Sequence, residues 1–518
     1  MVELTGDSLT IEQVVSVARK TEKVDGLAPE ALGRMRASRA RVEAALRDDA
    51  APVYGVTTGF GPLARVRIAP EQARQLSRNL ILSHVSGVGP PLPADIVRAM
   101  MLIRVNTFAK GLSGVRPELA DTLLQMLNSG VTPHIPAKGS LGASGDLAPL
   151  AHLAVVLSRD PDPKSDGYSG QAWYNGELLS GEQAMRRAGI ERLVLEAKEG
   201  LGLTNGTNLM AAAAALGVYA AEKLVHHAEI AAALSFEALL GISSTLDPRL
   251  HEANGQPGQV QTADTLRRML EGSRLVDSRP DRIQDAYSLR CTPQVVGPVR
   301  DVLSFLRERV TGALNAAADN PLFFGESGAI SGGNFHGQGL ALWLDLLGVA
   351  AAQLGTISER RVFRMVTPDL SDGLPAMLVP TPGLDSGLMT PQYTAAALVS
   401  DNKTLAHPDS VDSIPSSANQ EDHVSMGANA ARHALEILEN VRLILAVELL
   451  TAAQAIDLRP DGPARLGRGT AAAYKRLRQE VKFLDHDRPL SPDIEALAAL
   501  IASEQLVEVV ESAIGNEL

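Results

Sequence analysis

The stretch SMGANAARHALEILENVRLILAVELLTAAQAI, residues 425–456, decides the fold of this chain. Its apolar side chains recur every three to four residues, the spacing that brings them onto one face of an α-helix. That face consists of Ala428, Ala431, Leu435, Leu438, Val441, Leu445 and Leu449. The stretch therefore predicts one long amphipathic helix.

Three other segments of the second half have the same spacing, at residues 208–240, 295–318 and 340–364. Helices of about 20–30 residues are roughly 30–45 Å long at a rise of about 1.5 Å per residue. Long helices joined by loops are typical of a bundle rather than of a layered α/β fold. We predict a mainly α protein in which residues 201–518 form a long-helix bundle and a C-terminal helical region.

Residues 1–200 differ, because short helical patterns alternate there with loops rich in glycine and proline. The polar stretch at 161–170 predicts a surface loop, and a short strand is predicted at 171–179. We expect a smaller, loop-rich N-terminal region that precedes the bundle.

Composition excludes several classes of function. The 518 residues are 45% hydrophobic and 21% charged, which is ordinary for a soluble protein, and the net charge of -12 argues against nucleic acid and anionic membranes as partners. The start of the chain lacks the features of a signal peptide, and the longest apolar run, 209–221, is too short to span a bilayer. We expect a cytoplasmic protein that does not bind membranes.

Metal and disulfide chemistry are also disfavoured. Cys291 is the only cysteine, so no intramolecular disulfide can form. The 11 histidines do not follow the HxxH or HExxH spacing of metal sites. We predict no metal.

Polar and glycine-rich clusters lie between the helical segments, and the most unusual one contains Ala143-Ser144-Gly145. If the backbone bends tightly there, the Gly145 nitrogen can reach the Ala143 carbonyl carbon and close a five-membered ring, because glycine has no Cβ in the way. Loss of water then leaves an electrophilic methylene at Ser144. The alternative is an ordinary helix start with Ser144 as N-cap and Asp146 in the first turn. The two interpretations are compatible.

The surrounding string KGSLGASGDLAPLAH, residues 138–152, resembles the signature of the aromatic amino-acid and histidine ammonia-lyases. The resemblance extends from about residue 10 to 510. It implies a mostly α-helical homotetramer in which each active site is assembled from loops of three subunits. It also implies a cofactor, 4-methylidene-imidazole-5-one (MIO), formed autocatalytically from Ala143, Ser144 and Gly145, with no external cofactor.

The resemblance assigns roles to residues in the other polar loops. Tyr54, in YGVTTGFG, is implied to be the base that takes the substrate β-proton, and Asn205, in LTNGT, is implied to contact cofactor and substrate. From the residues alone, Tyr54 is a packed tyrosine and Asn205 a turn residue.

The segment IQDAYSLRC contributes Gln284, Tyr287 and Arg290. By itself it predicts a surface helix start with an exposed arginine. The resemblance instead implies that all three residues lie at the site. Arg290 would bind the substrate carboxylate through two parallel hydrogen bonds, and Tyr287 would hold the cofactor or take part in proton transfer.

Two further residues are implied to contact the substrate. Phe335, in a glycine-rich loop at 331–336, would form a wall of the pocket, and Glu421, in SSANQEDHVSMG, would face the substrate side chain. Without the resemblance, the first loop is a tight turn and Glu421 is an acidic residue near the start of the last long helix.

Ser83-His84 occupies the position that discriminates substrates in this family, where histidine-specific members resemble Ser-His. The resemblance therefore implies elimination of ammonia from L-histidine to give trans-urocanate. Alternatives are an MIO-dependent lyase or 2,3-aminomutase acting on tyrosine, phenylalanine or another aromatic amino acid, and a catalytically inactive helical oligomer. Departures from the family pattern occur at Thr57, Asn208, Asp385 and Asp409.

Overall fold

The computed structural model describes residues 1–47, 51–165, 167–325, 328–515 and 518. Up to residue 204, the helices are short: α1 (Ile11–Ala18), α2 (Pro29–Ala45), α3 (Ala73–His84), α4 (Ala94–Ala109), α5 (Pro117–Ser129), α6 (Leu147–Leu157), α7 (Gly181–Arg187) and α8 (Glu199–Thr204). The remaining helices are α9 (Asn208–Ala238), α10 (Pro248–Asn254), α11 (Pro257–Met269), α12 (Tyr287–Arg290), α13 (Thr292–Leu314), α14 (Gln338–Val366), α15 (Met389–Leu405), α16 (Gly427–Asp457), α17 (Arg468–Glu480), α18 (Ser491–Ala502) and α19 (Gln505–Ile514). The predicted mainly α fold is confirmed.

The four long helices predicted from apolar spacing are α9, α13, α14 and α16. Most of their ends agree with the prediction to within three residues. Helix α13 ends four residues early, at Leu314 rather than 318. Here the Asn315 amide donates hydrogen bonds to the carbonyls of Leu9 and Thr311, which turns the chain out of the helix.

The strands are short and form sheets of two or three members: β1 (Val2–Leu4), β2 (Val24–Leu27), β3 (Val88–Pro91), β4 (Thr132–Pro133), β5 (Pro136–Lys138), β6 (Ser158–Arg159), β7 (Gln171–Tyr174), β8 (Glu177–Ser180), β9 (Leu193–Val194), β10 (Leu322–Phe324) and β11 (Gly328–Ile330). The prediction of one strand at 171–179 is wrong in detail, because β7 and β8 form an antiparallel hairpin. Asn175 and Gly176 both have positive φ, as the two-residue turn of a hairpin requires.

The chain divides into two compact units. Unit 1 comprises Met1–Tyr219, Leu306–Asp345 and Pro408–Arg432, and unit 2 comprises Ala220–Phe305, Leu346–His407 and His433–Leu518. In unit 1, the almost fully buried α4 packs against α1, α2 and α5, and α3, α6 and α8 pack together. The sequence-based division at residue 200 stays a prediction.

Unit 2 has its own core. Val362, Ala395, Ile444 and Val447 form a buried cluster within it, and α17 packs against α18 and α19. The Arg361 guanidinium pairs with the fully buried Glu448 carboxylate, to which the Ser235 hydroxyl also donates. Burial of both charges is tolerable because each is hydrogen-bonded.

Helices α9 and α14 are long and apolar enough to cross a membrane by length and composition. However, 72% and 61% of their most apolar segments are buried inside the protein. This burial is typical of core helices, because a helix that is apolar on most faces must be covered on most faces. It also explains the alanine-rich run after residue 210, whose side chains are buried within a single chain.

Candidate active site

The loop before α6 has a backbone that only glycine accommodates at two positions. Gly142 and Gly145 have φ values of +68° and +80°. A Cβ at Gly145 would lie 2.2 Å from the Gly206 carbonyl oxygen, and one at Gly142 would lie 2.2 Å from the Ser425 Oγ. The backbone bends at residues 142–144, and the two glycines permit this conformation.

Asp146 ties this loop to the start of α9. Its backbone N–H donates to the Gly206 carbonyl at 2.7 Å, and its carboxylate accepts the N–H groups of Leu209 and Met210 at 2.9 and 3.1 Å. Burial raises the pKa of Asp146 to about 7, although these hydrogen bonds oppose the rise. Helix α6 starts at Leu147 with Asp146 as its N-cap residue, so the prediction of Ser144 as N-cap is wrong.

Ser144 instead faces a cavity of about 760 Å³ formed within unit 1. Seven residues singled out from the sequence line it: Tyr54, His84, Ala143, Ser144, Asn205, Phe335 and Glu421. They come from six separate loops or helix ends. Tertiary structure therefore brings together side chains that are far apart in the chain.

Tyr54 lies at the edge of this cavity. Its hydroxyl oxygen accepts the Gly61 N–H at 2.9 Å, and its ring meets Phe60 edge to face at 6.3 Å between centroids. The Thr57 hydroxyl accepts the Val53 N–H at 2.9 Å. Thr57, a departure from the family pattern, thus stabilises the turn that positions Tyr54.

Glu421 is the carboxylate that contacts Ser144 in the cavity. One oxygen accepts the Ser144 hydroxyl, and the other accepts the hydroxyls of Ser416 and Ser417 at 2.6 and 3.0 Å. Partial burial opposes its charge, but the three hydroxyls and nearby His84 outweigh that penalty and lower the pKa of Glu421. The site therefore holds an anion next to Ser144.

His84 is the last residue of α3. Its Nδ1 lies 2.8 Å from the Leu80 carbonyl oxygen, which can only accept, so Nδ1 carries the hydrogen and Nε2 is left with a free lone pair. Burial lowers the pKa of His84 and favours this neutral form. The Ser83 hydroxyl donates to the same carbonyl at 2.9 Å, and Ser83 does not line the cavity.

Asn205 follows α8 and contacts the Ser144 backbone. Its Nδ2 donates to the Ser144 carbonyl at 2.9 Å. Its Oδ1 is buried and has no hydrogen-bond partner within the described part of the chain. A buried amide oxygen without a partner is costly, which marks this position as one built for a further polar group.

Gln284, Tyr287 and Arg290 belong to unit 2, and none of them lines the cavity. Tyr287 is 70% exposed, and the Arg290 guanidinium lies 4.6 Å from the centre of its ring.

The remaining departures from the family pattern also lie outside the cavity lining. The Asn208 Oδ1 accepts a hydrogen bond from the buried Arg104 guanidinium at 3.0 Å, and the Asp409 N–H donates to Asp345 at 3.2 Å. Asp385 belongs to unit 2.

Sequence reasoning missed several residues of the cavity. Phe60, Asn320, His336 and His423 line it as well. Three of them lie within or beside strings already singled out, since Phe60 belongs to YGVTTGFG, and His336 and His423 neighbour Phe335 and Glu421. Among the described residues, no three His, Cys, Asp or Glu side chains group as a metal site would require.

Comparison with known proteins agrees with this geometry. The model of the aromatic amino acid lyase family matches residues 9–479. A histidine ammonia-lyase from Anaeromyxobacter sp. (strain K) is 52% identical over 505 residues, which cover 96% of this chain and 98% of that protein. The chain belongs to the aromatic amino acid lyase family, and the prediction of a carbon–nitrogen lyase is confirmed.

Two solved structures share the fold over nearly the whole chain. Histidine ammonia-lyase from Trypanosoma cruzi is 39% identical with a TM-score of 0.89, covering 99% of this chain and 95% of its own. Tyrosine aminomutase from Streptomyces globisporus is 38% identical with a TM-score of 0.92, covering 99% and 98%. The fold is thus common to proteins with different substrates, so the side chains of the cavity must decide the substrate.

Proposed function

We propose that this enzyme eliminates ammonia from L-histidine to give trans-urocanate. The observation that carries the proposal is that His84 and Glu421 line the same cavity as Tyr54 and Ser144 and lie close enough to interact electrostatically. A protonated imidazole has two N–H donors, and the site offers two acceptors: the His84 Nε2 lone pair and the Glu421 carboxylate. The close similarity to histidine ammonia-lyases supports the same substrate.

A substrate with a phenyl ring fits this cavity less well. Phenylalanine would offer no hydrogen-bond donor to the His84 Nε2 or to the Glu421 Oε1, at a cost of about 1–3 kcal/mol for each buried acceptor left unsatisfied. Those losses together correspond to a preference for histidine of about two orders of magnitude or more. A lyase or aminomutase acting on tyrosine or phenylalanine is therefore disfavoured.

The residues at 143–145 fit the MIO group. Gly145 has the backbone conformation and the close packing that only glycine allows, and Ala143 is almost fully buried beside it. The unpartnered Asn205 Oδ1 lies next to this backbone and is suited to contact a group formed there. When formed, MIO supplies an electrophile that activates the substrate amino group for departure.

The side chains of this chain perform the remaining tasks. Tyr54 removes the β-proton, His84 and Glu421 hold the imidazole, and Asn205 orients the substrate beside residue 144. Phe335 forms an apolar wall that limits where the ring can lie. Because all these groups are in place before the reaction, binding orients the reacting carbon towards Tyr54 and lowers the entropic cost of the step.

We infer that the enzyme is a cytoplasmic homotetramer in which neighbouring copies complete each site. Gln284, Tyr287 and Arg290 would then come from another copy, with Arg290 binding the substrate carboxylate. The family resemblance of the segment IQDAYSLRC supports this assignment. Co-expression of Tyr54→Phe with Arg290→Ala should restore activity that each variant lacks, because a mixed tetramer contains sites with both residues intact. Absence of any recovery in purified mixed tetramers would contradict shared sites.

One assay tests the substrate and the cofactor together. Purified enzyme is incubated with histidine, tyrosine or phenylalanine, and ammonia and the ultraviolet absorbance of the unsaturated acid are followed. We expect turnover of histidine, and turnover of phenylalanine alone would overturn the substrate assignment. The intact mass should be lower by two water molecules than the sequence mass.

Ser144→Ala tests the origin of the electrophile. We expect this variant to keep the full sequence mass apart from the substitution and to lose activity by several orders of magnitude. Ser165→Ala, which removes an exposed hydroxyl in a surface loop, is the matched control and should behave as wild type. Full activity of Ser144→Ala would contradict the mechanism.

A further inference from the structure

Two loops bring substrate-facing residues to the cavity, and both attach to the same short stretch of backbone. The Phe335 loop, residues 331–337, and the Glu421 loop, residues 416–424, flank the cavity. At the ends of these loops, the Gly337 N–H donates to the Gly142 carbonyl at 3.1 Å, and the Met426 N–H donates to the Leu141 carbonyl at 2.8 Å. The Leu141–Gly142 backbone directly precedes the ring-forming residues, so it aligns both loops with them.

The Glu421 loop needs such attachments, because its backbone is strained. Ser417, Ala418 and Asn419 all have positive φ, between 50° and 66°. Residues with a Cβ adopt this conformation at an energetic cost, and only when surrounding contacts hold them there. The position of Glu421 thus depends on contacts made by its neighbours.

His336 makes such a contact between the two loops. One ring nitrogen, Nε2, lies 3.1 Å from the His423 carbonyl oxygen, and the other, Nδ1, lies 3.3 Å from the Gln338 nitrogen. Since the carbonyl can only accept and the Gln338 N–H can only donate, the ring is neutral with its hydrogen on Nε2. The His336 and His423 rings are also stacked, with centroids 5.7 Å apart and planes 4° from parallel.

We propose that His336 is a positioning residue that clasps the Glu421 loop to the Phe335 loop and so sets where the Glu421 carboxylate meets the substrate side chain. The proposal rests on the proposed function, because it assigns Glu421 to the imidazole. The clasped carbonyl is only two residues from Glu421, so a shift there displaces the carboxylate relative to His84. The neutral imidazole serves both loops at once: it donates to one and accepts from the other.

Three substitutions separate the two hydrogen bonds. His336→Gln places an amide N–H at the distance of Nε2 and can still donate to the His423 carbonyl. His336→Asn places an amide oxygen at the distance of Nδ1 and can accept from Gln338, but it is too short to reach the other loop. His336→Ala removes both contacts. We expect kcat/KM for histidine to fall by about tenfold in the Asn and Ala variants, mainly through KM, and to return towards wild type in the Gln variant.

A second measurement reports the loop position without using activity. Hydrogen–deuterium exchange of backbone amides at 413–424 should be faster in the Asn and Ala variants than in wild type, and close to wild type in the Gln variant. The intact mass should show loss of two water molecules in every variant, because the clasp acts on Glu421 and not on ring formation.

These results distinguish failure of the clasp from failure of the proposed function. If wild type does not convert histidine but exchange follows the expected order, the proposed function is wrong and the clasp stands. If the Gln variant matches the Ala variant in both kcat/KM and exchange at 413–424, the hydrogen bond to the His423 carbonyl does not position Glu421. His336 then contributes only through packing, and the proposal is overturned. Wild-type exchange and kcat/KM in all three variants would overturn it as well.

Discussion

Glu421 in the loop at 416–424 and Asp385 in the loop at 381–388 are two carboxylates that are bound very differently. Asp385 accepts hydrogen bonds from the Thr381 hydroxyl, the His486 ring and the Asp487 N–H. These partners, led by Thr381, lower the pKa of Asp385 to about 2. Both of its oxygens therefore have permanent partners.

Glu421 has a different distribution of partners. Its Oε2 is held by two serine hydroxyls of its own loop, whereas its Oε1 is bound to the Ser144 hydroxyl. Formation of MIO would remove that hydroxyl and release Oε1 into the cavity. The comparison teaches that a carboxylate with permanent partners at both oxygens holds the fold, whereas one with a replaceable partner is available for a ligand.

Among the four substitutions that test this comparison, Glu421→Gln should have the largest effect on activity. The amide keeps the shape of the side chain but loses its charge, so it can no longer form an ion pair with an imidazolium. We expect kcat/KM for histidine to fall by about tenfold to a hundredfold, with an unchanged Tm. Steady-state kinetics and a thermal melt measure both quantities, and an unchanged kcat/KM would remove Glu421 from the substrate site.

Asp146→Asn extends the comparison to a fully buried carboxylate. Burial raises its pKa in the folded state to about 7, above the unfolded value of about 3.9, so the charged form destabilises the fold. The stability of wild type should therefore fall relative to the Asn variant as the pH rises from about 4 to about 7. Melts at pH 4.5 and 7.5 test this, and an equal difference at both values would contradict the raised pKa.

Asp385→Asn should lower the stability of the fold and leave activity nearly unchanged, the reverse of what Glu421→Gln should do. The amide cannot accept from all three partners of Asp385, so we expect Tm to fall by a few degrees. Turnover of histidine by the folded enzyme should change by less than about twofold, because both Asp385 oxygens already accept hydrogen bonds from Thr381, His486 and Asp487. A large loss of kcat/KM at unchanged Tm would show that Asp385 serves the site.

His486→Ala should have the smallest effect. The hydrogen bond to Asp385 raises the pKa of this exposed histidine above its usual value of about 6.5. Its stabilising contribution is thus fully present below about pH 6.5 and is lost as the pH rises through the raised value. The Tm difference between wild type and variant should be larger at pH 6 than at pH 9, and the reverse order would contradict this pairing.

Local patterns in the sequence predicted the helices well, because apolar spacing acts through neighbouring turns. The ends of α9, α14 and α16 follow from it to within two residues. The single strand predicted at 171–179 is a hairpin instead. Its Asn175-Gly176 turn is visible in the sequence and indicates a hairpin, whereas apolar spacing alone does not. The helix start at Ser144 was wrong because Asp146 forms long-range bonds that no local pattern records.

The candidate site, like the fold, has some features that the sequence determines and others that only the tertiary structure decides. The sequence by itself determined which residue types are available: a glycine-flanked serine, a tyrosine, a histidine and a glutamate in polar loops. Only the tertiary structure decided that Ser144 meets Glu421, 277 residues further along the chain, and that His336 joins the Glu421 loop. The physical reason is that helix formation depends on nearest neighbours, whereas a catalytic contact depends on how distant segments pack.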